Sequence, residues 1–248
     1  MTWLDDLTAH AQTNLTDGVR EALYARGVSD DQIAEYRIGY LDRSLPDLDG
    51  MEDFLKWAHQ GARLDDVLVF PLTSTLGVVH GFQFRHVDRA RKGYLDFIPY
   101  KEECVLFGLA QAMPHVWRTG GIWLVEGAFD LFPIQRHFPG VVATLTARVP
   151  ESLIRVMRRM VRQVWVGYDV DAAGRAAAAD FTRTHGRDFR VETVYYPQAR
   201  VLGSPNPTKD PGELWEAWGD EQVGRFIQTV LRSTDPMEFP DAEAVFRR

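Results

Sequence analysis

Two short acidic segments, Val125–Asp130 and Val166–Arg175, hold the residues of this chain best suited to chemistry. In the first, Glu126 and Asp130 lie either side of Gly127; in the second, Asp169 and Asp171 precede Gly174 and Arg175. Each segment follows or completes a short apolar run rich in β-branched or aromatic residues, Gly121–Val125 and Val164–Tyr168, which reads as a buried strand. A carboxylate just past such a strand stands at the carboxyl edge of a parallel sheet, where open α/β sheets place their ligands. Acidic groups gathered there repel one another unless a cation sits among them. Oxygen ligands without Cys or His suit a hard ion such as Mg²⁺ or Mn²⁺. The combination points to metal-assisted phosphoryl transfer.

The elements that must position these acids follow from the hydrophobic pattern. From Gly120 onward the order is strand–helix repeated, with strands at about 121–126, 140–145, 164–169 and 190–196 and helices at about 129–137, 150–162 and 173–185. Such alternation predicts an α/β fold, a parallel sheet with right-handed crossovers and helices on both faces. On the middle helix Arg155, Arg158, Arg159 and Arg162 fall opposite Leu153, Ile154, Met157, Met160 and Val161, as on an exposed crossover face. Upstream, residues 17–37 predict two short helices, with Asp17 capping the first and Ser29 to Gln32 forming a capping box for the second. Residues 66–107 change period and predict three strands: Val67–Leu72, Gly77–Arg85 and Tyr94–Ile98. A loop rich in Pro, Gly and Ser, Leu202–Pro207, leads to Lys209-Asp210-Pro211-Gly212-Glu213-Leu214, then one or two helices and a loose tail over Ser233–Arg248.

Composition narrows the partners. A chain of 248 residues with 45% hydrophobic content can bury a proper core in one large domain or two modest ones. The single Cys104 excludes a disulfide framework and any Cys-rich zinc site within this chain, and the seven histidines show no metal spacing. No signal-peptide layout opens the sequence and no apolar run reaches the roughly 20 residues of a membrane span, so a cytoplasmic location is expected. The net charge of −7 does not advertise a polyanionic partner, but Arg85, Arg89, Arg91 and Lys92 are grouped, as are Arg148, Arg155, Arg158, Arg159 and Arg162. Local fields of this kind outweigh net charge in binding nucleic acid.

The motifs in their order resemble the RNA-polymerase core of bacterial and phage primases, whose catalytic half is a TOPRIM domain. The TOPRIM signature, Glu-Gly-x-x-Asp and then Asp-x-Asp-x-x-Gly, is matched by Glu126-Gly127-Ala128-Phe129-Asp130 and by Asp169-Val170-Asp171-Ala172-Ala173-Gly174. The primase Asp-Pro-x-x-Leu segment is matched by Asp210–Leu214. Upstream, Tyr36–Tyr40, Val69–Leu72, Gly81–Arg85 and Leu106–Leu109 fall in the order of the family's basic N-terminal subdomain, so the resemblance covers roughly residues 17–220. Three departures stand out: one cysteine cannot supply the zinc-binding domain that usually precedes this core, Gly212 stands where many members have a second acid, and Thr146-Ala147 replaces a Gly-Thr turn.

The resemblance implies a TOPRIM fold preceded by a smaller, basic α+β subdomain: residues 1–116 for template and nucleotide, 117–220 for catalysis, and 221–248 as a C-terminal helix and tail. It implies DNA-templated synthesis of RNA primers from ribonucleoside triphosphates on single-stranded DNA, with nucleotidyl transfer to a 3′-hydroxyl. Glu126, Asp169, Asp171 and Asp210 would hold two divalent ions, with Gly127, Asp130 and Gly174 supporting them from behind. Arg85, Lys92 and Lys101 correspond to basic groups for template and nucleotide, and Lys209 and Arg175 to phosphate contacts, although Arg175 reads equally as an exposed helix arginine. The expected zinc-binding or helicase function would then come from a separate chain, and the compact layout suits a phage origin. Two other functions keep the same residues: a TOPRIM nuclease, and a nucleic-acid-binding replisome component with a degenerate site.

Overall fold

A computed structural model describes residues 2–42, 45–59, 64–91, 93–99, 106–145, 149, 151–197 and 207–233. The chain divides into two compact units, Met1–Ala110 and Gln111–Arg248.

The first unit contains α1 (Trp3–Thr13), α2 (Asp17–Tyr24), α3 (Asp30–Glu35), β1 (Gly39–Leu41), α4 (Glu52–His59), β2 (Val67–Thr73), β3 (Val79–His86) and β4 (Tyr94–Phe97). Its four strands form an antiparallel sheet in the order β1-β2-β3-β4. Every residue of β2 is buried. Pro71 is tolerated there because β1 pairs only with Val67–Val69, so on that side the strand is already an edge at Pro71. Leu4, Leu7 and Ala11 of α1 and Phe54 of α4 pack with Val69, Phe82, Phe84 and Phe97 of the sheet. Helix α1 comes so close to β1 that a Cβ on Gly39 would lie 2.5 Å from that of Ala11. The expected capping box at Ser29 and Gln32 is present, whereas α2 is capped by Thr16, whose hydroxyl accepts from the Val19 N–H at 3.3 Å. Asp17 is the first helical residue instead. A threonine one position earlier reaches the free N–H groups equally well, and the sequence offered both.

This unit is basic only locally. Residues 1–110 carry 11 Lys and Arg against 18 Asp and Glu, the whole of the net −7, while residues 111–248 balance at 17 and 17. Any polyanion held by the first unit must therefore meet a local patch.

The second unit begins within α5 (Leu109–Thr119) and continues through β5 (Gly121–Val125), α6 (Ala128–Gln135), β6 (Val141–Ala143), α7 (Glu151–Met160), β7 (Gln163–Val166), α8 (Ala172–His185), β8 (Arg190–Thr193), α9 (Pro211–Trp218) and α10 (Asp220–Ser233). All four strands are parallel, in the order β6-β5-β7-β8. With right-handed crossovers this order puts α6 on one face and α7 and α8 on the other. Strands β5, β6 and β7 are buried at every position, as expected of strands covered on both sides. Arg155, Arg158 and Arg159 on α7 and Arg162 just beyond it are exposed, opposite buried Leu153, Ile154 and Met157. The strands end earlier than the apolar runs suggest, so the carboxylates lie in the loops past their carboxyl ends rather than on them. Among the described residues no helix is long and apolar enough to cross a membrane.

Candidate active site

Strands β5 and β7 are neighbours, so the loops that leave them run side by side. Glu126 directly follows β5, and its Oε1 accepts the backbone N–H of Asp169 at 3.2 Å from the loop after β7. Gly174 permits this approach: a Cβ there would stand 2.2 Å from the Asp169 carbonyl oxygen and 2.8 Å from Glu126 Oε1. Gly127 has φ −109°, ordinary extended backbone that any residue adopts, so no positive φ calls for glycine here. Its N–H instead donates to Asp130 Oδ2 at 2.8 Å, which fixes that carboxylate at the start of α6.

Asp171 caps α8, with Oδ1 accepting from Gly174 N–H at 2.9 Å. Asp210 caps α9, with Oδ1 accepting from Glu213 N–H at 2.7 Å and Pro211 opening the helix. The loop carrying Asp210 is tied to the β7 loop by a bond from Val170 N–H to the Lys209 carbonyl at 2.8 Å. Lys209 then donates from Nζ to Asp169 Oδ2 at 2.6 Å and lies 3.7 Å from Asp210 Oδ2. Glu213, beside the position of the missing second acid, is turned back to accept the Lys209 backbone N–H at 2.9 Å. Arg175 likewise turns back, onto the Val170 carbonyl.

The electrostatics bind these groups into one cluster. Burial raises the Asp169 carboxyl above the usual range; the Lys209 hydrogen bond opposes this, and the charges of Asp210 and Asp171 add to it. Glu126 is raised by burial and by the charges of Asp169 and Asp171. Asp130 is pushed well up, first by burial and then by Asp210 and Asp169. Asp130 thus feels the charges of both Asp210 and Asp169 from its place at the start of α6. Burial pulls the Lys209 ammonium down, but the bond to Asp169 and the charges of Asp169, Asp210 and Glu213 outweigh it and raise it above the ordinary lysine value.

One contributor is not apparent from motif spacing. Tyr196, just past β8, donates to the Gly167 carbonyl at 3.0 Å and accepts from Trp123 Nε1 at 3.2 Å. Burial and the charges of Asp130, Asp169 and Asp210 raise its phenol. It holds Gly167, and so the start of the Asp169 loop, from beneath; a Cβ on Gly167 would lie 2.0 Å from its hydroxyl. Its place beyond a parallel strand is the signal that could have marked it.

An all-oxygen set of carboxylates raised by their mutual charge fits a hard divalent ion in its chemistry. Its arrangement is not that of a formed metal centre: among the described residues no three His, Cys, Asp or Glu side chains are assembled to hold an ion. A lysine stands among them instead. Of the basic residues expected upstream, Lys92 and Lys101 lie outside the described residues. Half-buried Arg85 donates to the Gly93 carbonyl at 2.7 Å and covers the Tyr94 ring at 4.8 Å, while Arg91 pairs with Asp65 at 3.2 Å.

Residues 123–204 match the family described as Toprim-like. The DNA primase of Treponema pallidum is 28% identical over 258 residues, covering 93% of this chain and 40% of that protein. The chain is related to the bacterial DNA primases. The DNA primase of Deinococcus radiodurans is 25% identical over 86% of this chain and 40% of its own length. This primase relative thus spans about two-fifths of the length of the curated proteins it matches. In fold it is similar to a DnaG primase catalytic domain solved bound to single-stranded DNA, with a TM-score of 0.69 at 21% identity over 98% of this chain and 87% of that one. The TOPRIM fold expected from the acidic motifs is therefore the fold of the second unit, preceded by a mixed α+β unit.

Proposed function

We propose that this chain synthesises RNA primers on single-stranded DNA by transferring nucleotides to a 3′-hydroxyl, assisted by two Mg²⁺ or Mn²⁺ ions. The observation that carries the reading is that the Glu126, Asp169 and Asp210 loops are tied together at the carboxyl edge of a parallel sheet in a relative of bacterial primases. Glu126, Asp169, Asp171 and Asp210 are the residues that would hold the ions. Bound there, divalent ions would neutralise charge on the phosphoryl group in flight and lower the pKa of the attacking hydroxyl. Asp130 keeps the cluster acidic from within, and Gly174 and Tyr196 hold the Glu126 and Asp169 loops in register. Residues 1–116 would hold template and nucleotide through Arg85, Lys92 and Lys101, residues 117–220 would carry the chemistry, and residues 221–248 would form a terminal helix and tail. Lys209 and Arg175 would meet the triphosphate. The single-stranded DNA bound to a DnaG catalytic domain supports that substrate. A zinc-binding or helicase chain would act alongside in the cytoplasm.

The test is incubation with single-stranded DNA, labelled ribonucleotides and Mg²⁺ or Mn²⁺. Template-dependent short RNAs are expected, absent with Glu126→Gln or Asp169→Asn; shortening of the template would instead assign the site to a nuclease. Replacing Arg85 and Lys92 together with Ala should weaken template binding and flatten its salt dependence, since each neutralised phosphate releases counterions. Unchanged binding by that variant would move the template off this patch.

A further inference from the structure

We propose that the Lys209 ammonium is the resident counter-ion of the acid cluster, and that a divalent cation enters only by displacing it from Asp169. The inference rests on the metal-assisted reading above and adds a rule of occupancy to it. Nζ lies 2.6 Å from Asp169 Oδ2 and 3.7 Å from Asp210 Oδ2, between carboxylates that come from two different loops. A divalent ion on those oxygens would need distances of about 2.0–2.6 Å, which puts it in the volume that the ammonium fills. Two cations cannot share that space without strong repulsion.

The structure also provides the means of exchange. The Lys209 backbone is pinned on both sides, its carbonyl by Val170 N–H and its N–H by Glu213, so loop and cluster need not open. Only the four-carbon stem has to turn. Nearly half of the Lys209 side chain (48%) is exposed, against 14% for Asp169 and 15% for Asp210, so the ammonium has an open side to leave by. Once out, it remains next to the acids, where the phosphates of an incoming triphosphate would lie. Ion loading thereby hands a positive charge to the substrate, and ion loss returns it to Asp169.

The chain has four lysines, Lys56, Lys92, Lys101 and Lys209, so their ¹⁵N-labelled ammonium signals are few and Lys209→Met assigns the one of interest. In the metal-free full chain the Lys209 signal should be sharp, because a held ammonium exchanges slowly. Mg²⁺ should broaden or shift it to the position of a solvated lysine. In parallel, Lys209→Met should take up Mn²⁺ several-fold more tightly than the parent. It should melt at a lower temperature in chelator, with that gap closing at saturating Mg²⁺; a lysine that merely lent its field would leave the gap open. Mg²⁺ binding with the Lys209 signal unmoved, or equal Mn²⁺ affinity in the two chains, overturns the displacement while sparing the metal site. Failure of both chains to bind either ion overturns the site as well.

Discussion

Replacing Gly174 with Ala tests whether close approach of two loops is what assembles the acids. By helix propensity alone Ala should be better, since Gly in a helix costs about 1 kcal/mol relative to it. The new methyl, however, would meet the Asp169 carbonyl oxygen at 2.2 Å and Glu126 Oε1 at 2.8 Å. Ordinary C···O contacts are about 3.3–3.6 Å, so the start of α8 and the Asp169 backbone must part by about 1 Å. The nearest obstacle is backbone and cannot rotate aside. Overpacking of this kind costs about 1–3 kcal/mol, and its upper end less the propensity gain leaves a loss of about 2 kcal/mol. Gly18 in α2 supplies the control, because a Cβ there meets nothing within 4 Å. Gly18→Ala should stabilise by about 0.5–1 kcal/mol. Urea denaturation, read on the transition of each residue's own unit, should separate the variants by about 2.5–3 kcal/mol. Primer synthesis should survive Gly18→Ala and fall about 100-fold in Gly174→Ala, the usual effect of a 1 Å misplacement at a reacting centre. A Gly174→Ala protein as stable and active as its parent would refute the idea that this contact sets the acid geometry.

Two further predictions concern the cluster's own energetics. Glu126, Asp130 and Asp169 have raised carboxyl values, so the folded chain keeps protons that the unfolded chain has lost, and in chelator stability should fall as pH rises from about 4 through those raised values. The raised Lys209 contributes fully below the ordinary lysine value and is lost only above it, and the lowered Asp65 and Asp188 act below the ordinary carboxylate range. Glu35 and Asp96, raised by burial, add to the slope, and His115, lowered by burial, opposes it nearer neutrality, so the cluster's share is read from the difference between parent and Asp130→Asn. Asp130→Asn, which still accepts from Gly127, should raise the melting temperature at neutral pH and flatten that slope; a lower melting temperature with the slope intact would sink the assignment. Tyr196→Phe leaves the Gly167 carbonyl and the Trp123 N–H unpaired in a buried position and should cost about 1–3 kcal/mol in urea, with a matching fall in primer synthesis. An unchanged midpoint would mean that Gly167 is held by something else.

Much of the second unit is legible because β5, β6 and β7 are buried on both sides and the turns carry glycine and acids. β5 and β7 show as apolar runs, and the acids after them mark the sheet's carboxyl edge. Boundaries slipped where an apolar run continues past the last ladder bond: Tyr168 and Val170 are buried as loop residues, not as strand. In the first unit α1 and α4 were not among the expected elements, although the buried Leu4, Leu7, Thr8 and Ala11 of α1 keep the i, i+3, i+4, i+7 spacing of one helix face; β1, three residues long, is too short to show a period. Charge by segment was misleading there as well. The arginines near residue 90 suggest a basic subdomain, yet Arg91 is paired to Asp65 and Arg85 is bound to Gly93, and the unit is acidic as a whole.

Under the proposed function, structural and chemical duties would fall on the same carboxylates. Asp171 and Asp210 are helix caps, Asp130 accepts the Gly127 N–H, and Glu126 accepts the Asp169 N–H. Each thus commits an oxygen to a backbone donor, and that bond fixes the side chain before any ligand arrives. At Asp210 capping and ion binding are compatible readings, and under the proposed function capping would orient the acid for binding. The arrangement decides which substitutions are informative. Ala removes cap and charge together, so its loss of activity has two causes, about 0.5–2 kcal/mol of helix stability among them. Asn at 171 or 210 keeps a cap oxygen and removes the charge. Asp210→Asn should therefore preserve the melting temperature in chelator while losing primer synthesis. An Asp210→Asn chain that is stable and fully active would leave Asp210 as a cap alone.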